Sequence, residues 1–466
     1  NTAVGYQSMT TNTTGINNTA IGQTSLKLNT TGNFNVALGM NALQANTTAS
    51  NNTSVGYGAM FTNTTGASNT AVGLNALYTS TGSNNCAFGF QSLTANTTGS
   101  SNTAFGYDTL KANTTGALNV SMGISSLDAN TTGNYNNGFG YNTLSANTTG
   151  SSNIAVGANS LLSNTTASNN TAVGDSALKF NTTGASNVAI GLQALRQNTT
   201  GYNNFAVGQT TLVANTTGYS NNAVGLQSMN ANTTGHMNNT IGQNALLVNT
   251  TGAQNTAIGH NCLDSNTTGT GNTAIGIEAG TGMTTGAYNT TLGRYSGKNI
   301  STGTYNTTIG NDNSTSAVGA QFQVVIGHGQ VGKGDGTAII AGQAYQSSNA
   351  STWFTTSDRR IKKNIEDNND GLDAINQVQV RNFEYRTEDE ITDFDNPKSA
   401  VVNKGGVQLG VIAQEIQSIF PEMVKEETTG VLSVNPDNMT WHLVNAVKEL
   451  SKQVTALQLE VAILKG

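Results

Sequence analysis

The stretch that decides the fold reads Asn255-Thr-Ala-Ile-Gly259, and the same five residues recur seventeen positions later as Asn272-Thr-Ala-Ile-Gly276. A glycine returns at this spacing in twenty copies, from Gly5 to Gly327, with one residue deleted in a single copy. An apolar residue precedes each of these glycines, and the first sixteen copies carry Leu or Met four residues after it. Asn-Thr-Thr-Gly or a close variant separates the copies. Repeats of this kind determine the fold class before any local signal does.

The repeat is too short and too rich in Asn, Thr and Gly for a helical array, which needs about 30 residues per copy. It predicts two short strands and two turns: a strand around Asn-Thr-Ala-Val-Gly, a turn, a second segment ending at the Leu, and the Asn-Thr-Thr-Gly turn. We expect each coil to bury one Val or Ile and one Leu, so that coils must stack to form a core. At ~4.8 Å per strand, twenty coils make a rod of about 95 Å.

Charge divides the chain near residue 350. Residues 1–350 contain 7 Lys/Arg and 7 Asp/Glu, whereas residues 351–466 contain 12 and 18, which accounts for the net charge of −6. This balance excludes a basic nucleic-acid surface, and no run reaches the ~18 apolar residues of a membrane span. The two cysteines replace small residues of the repeat and are predicted to be packed free thiols. No metal or cofactor is expected, and a chain that begins inside a repeat is expected to be a fragment.

The repeat resembles the head of trimeric autotransporter adhesins, in which copies that contain Asn and Ile-Gly form a left-handed parallel β-roll. Residues 255–259 and 272–276 carry this resemblance. After Gly276 the Leu position is taken by Gly280 and Gly297, which indicates a change of cross-section before a neck.

A different pattern begins at Ser357-Asp-Arg-Arg-Ile-Lys362. Apolar residues at helical spacing follow, then the β-rich segment 380–385, and then residues 408–416, which read as a strand entering a helix. The combination resembles the intramolecular chaperone auto-processing domain of endosialidase tailspikes and many phage tail fibres, over residues 357–466.

The resemblance implies a domain that assists trimer folding and then cuts itself off. Carried over to this sequence, the nucleophile is Ser357, the base is Lys362, and the bond that breaks is Thr356–Ser357. Such a pair is chemically reasonable, because burial can lower the pKa of a lysine from about 10.4 towards neutral. From the residues alone, an exposed serine with solvated basic neighbours is the alternative.

The tail carries a heptad seam over about three heptads. Its residues are Leu443, Val447, Leu450, Val454, Leu457, Val461 and Leu464. A coiled coil and an amphipathic helix packed on its own domain both fit this pattern. A trimer is implied by the resemblance rather than by the seam.

These observations predict a mainly β chain with four regions. They are a trimeric β-solenoid shaft at 1–327, a Gly-rich neck at 328–356, a small α+β chaperone domain at 357–440 and a coiled-coil helix at 441–466. The expected function is that of a phage tail fibre or spike on the virion, a homotrimer that binds a glycan or protein on the host surface. No nucleic acid or membrane insertion is expected.

Three other functions fit parts of the sequence: a bacterial surface adhesin, an ice-binding protein with threonine ladders, and a polysaccharide depolymerase. A depolymerase needs paired carboxylates, and we expect the shaft acids to be spread over distant coils. The acids are Asp108, Asp128, Asp175, Asp264, Glu278, Asp312 and Asp335. Several copies carry an aromatic residue directly after the repeat glycine, which predicts either a stripe for sugar stacking or a half-buried position. These residues are Tyr6, Tyr57, Phe90, Tyr107 and Tyr141. The shaft histidines are expected to be solvent or turn residues: His236, His260 and His328.

Overall fold

The computed structural model describes residues 1–341, 359, 363–368, 370–393, 400–402, 404–427 and 430–465. The chain divides into two compact units, Asn1–Thr304 and Tyr305–Gly466. The first is a stack of repeats, and the second contains three further parallel strands and the carboxy-terminal elements.

The first unit is a β-solenoid in which each coil contributes one three-residue strand. Each strand pairs in parallel with the strand of the next coil at the register of the repeat, for example Ala155 with Ala172. The strands are β1 Thr2–Val4, β2 Thr19–Ile21, β3 Val36–Leu38, β4 Thr53–Val55, β5 Thr70–Val72, β6 Cys86–Phe88, β7 Thr103–Phe105, β8 Val120–Met122, β9 Asn137–Phe139, β10 Ile154–Val156, β11 Thr171–Val173, β12 Val188–Ile190, β13 Phe205–Val207, β14 Asn222–Val224, β15 Asn239–Ile241, β16 Thr256–Ile258, β17 Thr273–Ile275 and β18 Thr290–Leu292. The predicted mainly β solenoid of 17-residue repeats is confirmed, and so is the first strand of each coil.

The second predicted strand of each coil is wrong, because the segment that ends at the Leu is a turn. The leucine itself has a left-handed backbone angle, as at Leu127 with φ +54° and Leu144 with φ +52°. Such an angle costs a residue other than glycine about 1–2 kcal/mol. Burial of a leucine side chain stabilises by about 1.5–3 kcal/mol, which offsets that cost.

The core of each coil is formed by the middle residue of the strand and by the leucine. Ala155 and Leu161 are fully buried, whereas Val156, directly before the repeat glycine, is 37% exposed. The expectation that each coil buries a Val or Ile is therefore wrong. Successive side chains of a strand point to opposite faces, and the inward one is small because it shares a narrow interior with the leucine.

The repeat glycine is required by close contact between coils. Gly106 has φ +139°, and a Cβ on it would lie 2.5 Å from the carbonyl oxygen of Gly123 in the next coil. The coils could not stack at this spacing with a side chain there, which explains the glycine that marks every copy.

Two ladders of buried asparagines run through the first unit. In one ladder, the Nδ2 of Asn113 donates to Oδ1 of Asn96 at 2.7 Å and to the carbonyl of Gly116 at 2.9 Å. The next coil repeats the contact, with Asn130 Nδ2 donating to Asn113 Oδ1 at 2.8 Å. These asparagines come from the Asn-Thr-Thr-Gly segments, so the predicted turn residue also connects neighbouring coils.

The second ladder stands directly before the strands. The backbone N–H of Asn119 donates to Oδ1 of Asn102 at 3.0 Å, and its Nδ2 donates to the carbonyl of Gly133 at 2.9 Å. Asn136 repeats both contacts one coil later. Because these side chains are 0% exposed, water cannot replace the hydrogen bonds they make.

The leucine row ends where the sequence indicates a change. Gly280 and Gly297 keep the left-handed angle of the leucines they replace, with φ +65° and +67°. The apolar side chain is supplied three residues later instead, by the fully buried Met283 and Ile300. These two residues occupy positions where earlier copies carry the ladder asparagine of Asn-Thr-Thr-Gly.

Both cysteines are free thiols, as predicted. Cys86 is half-buried in β6, and Cys262 is fully buried in the core. Burial raises the pKa of both, and that of Cys262 to about 12.

The second unit contains three parallel strands and a small mixed domain. The elements are β19 Thr307–Ile309, β20 Val324–Ile326, β21 Ala338–Ile340, α1 Leu372–Ile375, β22 Arg381–Phe383, β23 Gln408–Gly410, α2 Ala413–Gln417, β24 Val424–Glu426, β25 Leu432–Val434 and α3 Met439–Lys465. β20 pairs with β19 and with β21, and β22–β23 and β24–β25 are antiparallel pairs. Short 3₁₀ turns lie at Glu388–Glu390, Pro421–Met423 and Pro436–Asn438. The boundaries proposed for the neck and the chaperone domain stay predictions.

Candidate functional site

The predicted catalytic pair lies outside the described residues. Ser357 and Thr356 fall in the segment 342–358, and Lys362 falls in 360–362. The serine–lysine pair therefore stays a prediction. Lys363, next to the predicted base, is described and is exposed.

The carboxy-terminal domain has a small apolar core. Ile416 of α2 and the two residues Phe420 and Met423 that follow it are each 1% exposed. Partly buried side chains pack against them: Ala374, Ile375, Val378, Val411, Ile419, Val424, Val434 and Met439. The predicted strand entering a helix at 408–416 is confirmed as β23 followed by α2. This core joins elements that are up to 65 residues apart in the sequence.

An ion pair joins the two motif blocks of the domain. Arg381 of β22 donates from Nη2 to Oε1 of Glu415 at 2.8 Å and from Nε to Oε2 at 3.2 Å. A two-point contact of this kind fixes the direction of the guanidinium plane. Since both side chains are solvent-exposed, the pair contributes orientation more than stability.

The first half of α3 is held against α1. Glu449 Oε2 accepts from the backbone N–H of Leu372 at 2.7 Å, at the start of α1. A carboxylate at a helix amino terminus satisfies an N–H that has no partner within the helix. Asn445 adds a hydrogen bond from Nδ2 to the carbonyl of Asn368 at 2.8 Å.

His442 is a structural residue that the sequence reading missed. Its ring is 6% exposed and lies against the ring of Phe420 at a centroid distance of 4.2 Å. Nε2 is 3.5 Å from Oε1 of Glu422, and Nδ1 is 3.3 Å from the carbonyl of Asp370. The only signal in the sequence is that His442 directly precedes the heptad seam, which does not indicate burial.

The heptad seam of α3 faces away from its own domain. Its seven residues are between 44% and 85% exposed in the single chain. The residues that dock on the domain, namely His442, Ala446 and Glu449, lie on an adjoining face of the same helix. Packing of the seam on its own domain, the alternative that the sequence left open, is therefore wrong.

A cavity of about 590 Å³ lies beside this core. It is lined mainly by apolar and aromatic residues of β22, β25 and the segment before α2, and Lys333 reaches into it. The Lys333 Nζ donates to the carbonyl of Val401 at 3.2 Å, and burial lowers the pKa of this lysine.

Two carboxylate pairs of the shaft lie on adjacent coils, which corrects the expectation that the acids are spread over distant ones. Burial raises the pKa of Asp128, and the charge of Asp108 raises it further. Burial likewise raises the pKa of Asp264, with a further contribution from Glu278. Asp108 is ion-paired with Lys111 at 3.1 Å.

The aromatic row predicted for sugar stacking is solvent-exposed, with Tyr6 at 69% and Tyr141 at 53%. Phe90 and Tyr107 stack in consecutive coils at a centroid distance of 5.0 Å. Apart from Tyr6, the side chains of this row are between 37% and 53% exposed, which is compatible with both the sugar-stacking stripe and the half-buried position. Sugar binding by the row stays a prediction.

A second aromatic stack, which the sequence reading missed, is formed by Tyr202, Tyr219 and His236. Their rings are nearly parallel, with centroid distances of 5.1 and 4.7 Å. His236 thus takes part in a stack, whereas His260 and His328 are exposed as expected.

The described part of the chain offers neither a membrane-spanning helix nor a metal site. No helix there combines the length and the apolar character needed to cross a membrane. That part also contains no cluster of three His, Cys, Asp or Glu side chains placed to hold a metal ion.

Comparison with known protein families agrees with the pattern of the carboxy-terminal motifs. Residues 357–425 match the family described as Chaperone of endosialidase, a peptidase family. The match begins at Ser357 and includes β22, β23 and α2. The chain therefore carries a chaperone-of-endosialidase domain after a β-solenoid of about twenty turns, as expected from the resemblance.

Proposed function

We propose that this chain is the shaft of a phage tail fibre or spike that binds the host surface as a homotrimer. Its carboxy-terminal domain directs trimer assembly and then cuts the Thr356–Ser357 bond. The observation that carries the proposal is the family match at 357–425, which follows a long β-solenoid in the sequence. The intramolecular chaperone and self-cleavage belong to that family, and a neutral rod of stacked coils suits a fibre.

In the proposed cleavage, the hydroxyl of Ser357 attacks the carbonyl carbon of Thr356. Lys362, in its neutral form, takes the hydroxyl proton and passes it to the leaving amine. An ester between the Thr356 carbonyl and the Ser357 oxygen forms as the peptide bond breaks, and water then hydrolyses it. The start of the family match at Ser357 supports this assignment of the nucleophile.

The test is mass spectrometry of the purified full-length chain, together with a denaturing gel. We expect two fragments, 1–356 and 357–466, from the natural sequence. Ser357→Ala and Lys362→Ala should each leave the chain intact, whereas Lys363→Ala, a change at the neighbouring lysine, should still cleave. Cleavage of the Ser357→Ala chain would show that the assignment of the nucleophile is wrong. An equal loss of cleavage in Lys362→Ala and Lys363→Ala would show that the assignment of the base is wrong.

A polysaccharide depolymerase is the second candidate, because the two carboxylate pairs offer an acid of raised pKa beside a second acid. Glycosidases use such a pair. Incubation of the purified fibre with host polysaccharide should release new reducing ends if this is correct. Loss of that activity in Asp128→Asn or Asp264→Asn would identify the pair, and no release of reducing ends would dismiss the candidate.

A further inference from the structure

The outward side of the parallel strands in the first unit carries a long row of apolar side chains beside a row made mostly of threonine and asparagine. It consists of the first and third residue of each strand, and we call it the strand face. The third residue is always apolar and large: Val4, Ile21, Leu38, Val55, Val72, Phe88, Phe105, Met122, Phe139, Val156, Val173, Ile190, Val207, Val224, Ile241, Ile258, Ile275 and Leu292. None of these side chains is buried in the single chain, and Met122 is 48% exposed.

Charge is absent from the strand face and concentrated elsewhere on the coil. All eleven charged residues of 1–304 stand one, two or five positions after a repeat glycine, and none is in a strand. They are Lys27, Asp108, Lys111, Asp128, Asp175, Lys179, Arg196, Asp264, Glu278, Arg294 and Lys298. A continuous exposed apolar row of this length, on a face without charge, marks an interaction site.

We propose that the strand face is the surface through which copies of this chain pack against one another, side by side and in parallel. The inference rests on the proposed homotrimer and goes beyond it by naming the face. A second copy fits because its side chains have the same spacing of ~4.8 Å along the stack, so each coil can meet the equivalent coil. Phe88 and Phe105, stacked at 4.6 Å on this face, show how large side chains align along it.

The size of the face agrees with a subunit interface. Eighteen strands at ~4.8 Å extend over about 80 Å, and the two outward rows with their side chains are about 10 Å wide. Each copy thus offers about 800 Å², which a trimer divides between two neighbours, so that three copies together bury about 2,400 Å².

A separate part of the chain also requires a partner. The exposed seam of α3 repeats every seven residues, and such a seam is buried by an equivalent helix. The strand face and the seam are two independent features, and a second copy of the same chain would cover both.

The test places single cysteines on the strand face and outside it in the full-length chain. Cys86→Thr and Cys262→Ser remove the native thiols, and equivalent positions in other copies already carry Thr and Ser. Val173→Cys then lies on the strand face, and Lys179→Cys lies six residues further along the same coil. A short thiol cross-linker should join two copies through Val173→Cys about a hundredfold faster than through Lys179→Cys, because adjacent sites have millimolar effective concentration. Ile190→Cys, one coil away, provides a second strand-face variant.

Light scattering on the same samples separates failure of the inference from failure of the proposed function. Cross-linking at Val173→Cys and Ile190→Cys, but not at Lys179→Cys, in an oligomeric sample supports the inference. An oligomer whose strand-face cysteines react freely with maleimide and do not cross-link would overturn it while leaving the homotrimer intact. A monomer would overturn both.

Discussion

Replacement of Asn136 by alanine tests whether the asparagine ladders hold the coils together. The Nδ2 of Asn136 donates to the carbonyl of Gly150 at 2.8 Å, and its Oδ1 accepts from the N–H of Asn153 at 3.1 Å. Its Oδ1 also accepts from Nδ2 of Asn153 at 3.1 Å, and alanine removes all of these hydrogen bonds at a site that is 0% exposed. The carbonyl of Gly150 keeps the hydrogen bond from Nδ2 of Asn147 at 3.0 Å, so the buried N–H of Asn153 is the group left without a partner. Such a group costs about 1–3 kcal/mol, and the variant should lose about that much local stability.

Hydrogen–deuterium exchange of the full-length chain, read by mass spectrometry, measures this loss where it occurs. Coils of a solenoid contact mainly their neighbours, so the opening should be local. A loss of about 1–3 kcal/mol raises the exchange rate of the affected amides by about 5-fold to 150-fold. The increase should appear in the coils that contain Asn119, Asn136 and Asn153 and fade within a few coils.

Asn137→Thr is the matched control. Asn137 is the next residue along the chain but stands on the outward side of β9, where other copies carry threonine. The backbone amides of this variant should exchange at the same rates as those of the natural chain. If Asn136→Ala and Asn137→Thr exchange alike, the ladder does not stabilise the coils and the reasoning is refuted.

Two further predictions concern the solenoid core. Leu144→Ala removes a fully buried side chain and should lower the local stability by about 2–5 kcal/mol. The same hydrogen–deuterium exchange experiment measures this loss. Leu226→Ala, at a site that is 41% exposed, should change the local stability little. Burial raises the pKa of Cys262 from 9.0 to about 12, so the native thiol stays protonated while the unfolded thiol ionises. The stability this contributes is present below about pH 9 and is lost as the pH rises towards 12. Guanidinium unfolding at about pH 8 and at about pH 10.5 measures this change. Between the two pH values the free energy of unfolding should fall more for the natural chain than for Cys262→Ser, and equal falls would contradict the prediction.

Much of the shaft could be predicted because every copy repeats the same positions. The strand at Thr256–Ile258 lies where the Asn-Thr-Ala-Ile-Gly motif indicated it. The leucine was correctly assigned to the core, since it is large, apolar and always four residues after the repeat glycine. The left-handed angle of Leu263 could not be predicted, because a leucine adopts it only where neighbouring coils hold it.

The carboxy-terminal domain could be predicted only where its motifs are local. The strand and helix at 408–416 follow from the sequence pattern. The contact of Glu449 with Leu372 joins residues 77 positions apart, and no local pattern indicates such a contact. The assignments of Ser357 and Lys362 come from the family resemblance and await the cleavage experiment.

The sequence by itself determined the repeat, the place of each strand and glycine, and the presence of a chaperone-type domain, because these depend on spacing and on local motifs. Only the tertiary structure decided which side of each strand faces inward. A Thr-Ala-Val strand has an apolar residue on both sides, so alternation alone cannot choose between them. The stacking of the coils determines which side chain points inward. The narrow interior that holds the leucine has room for alanine only, so valine points outward and forms part of the strand face.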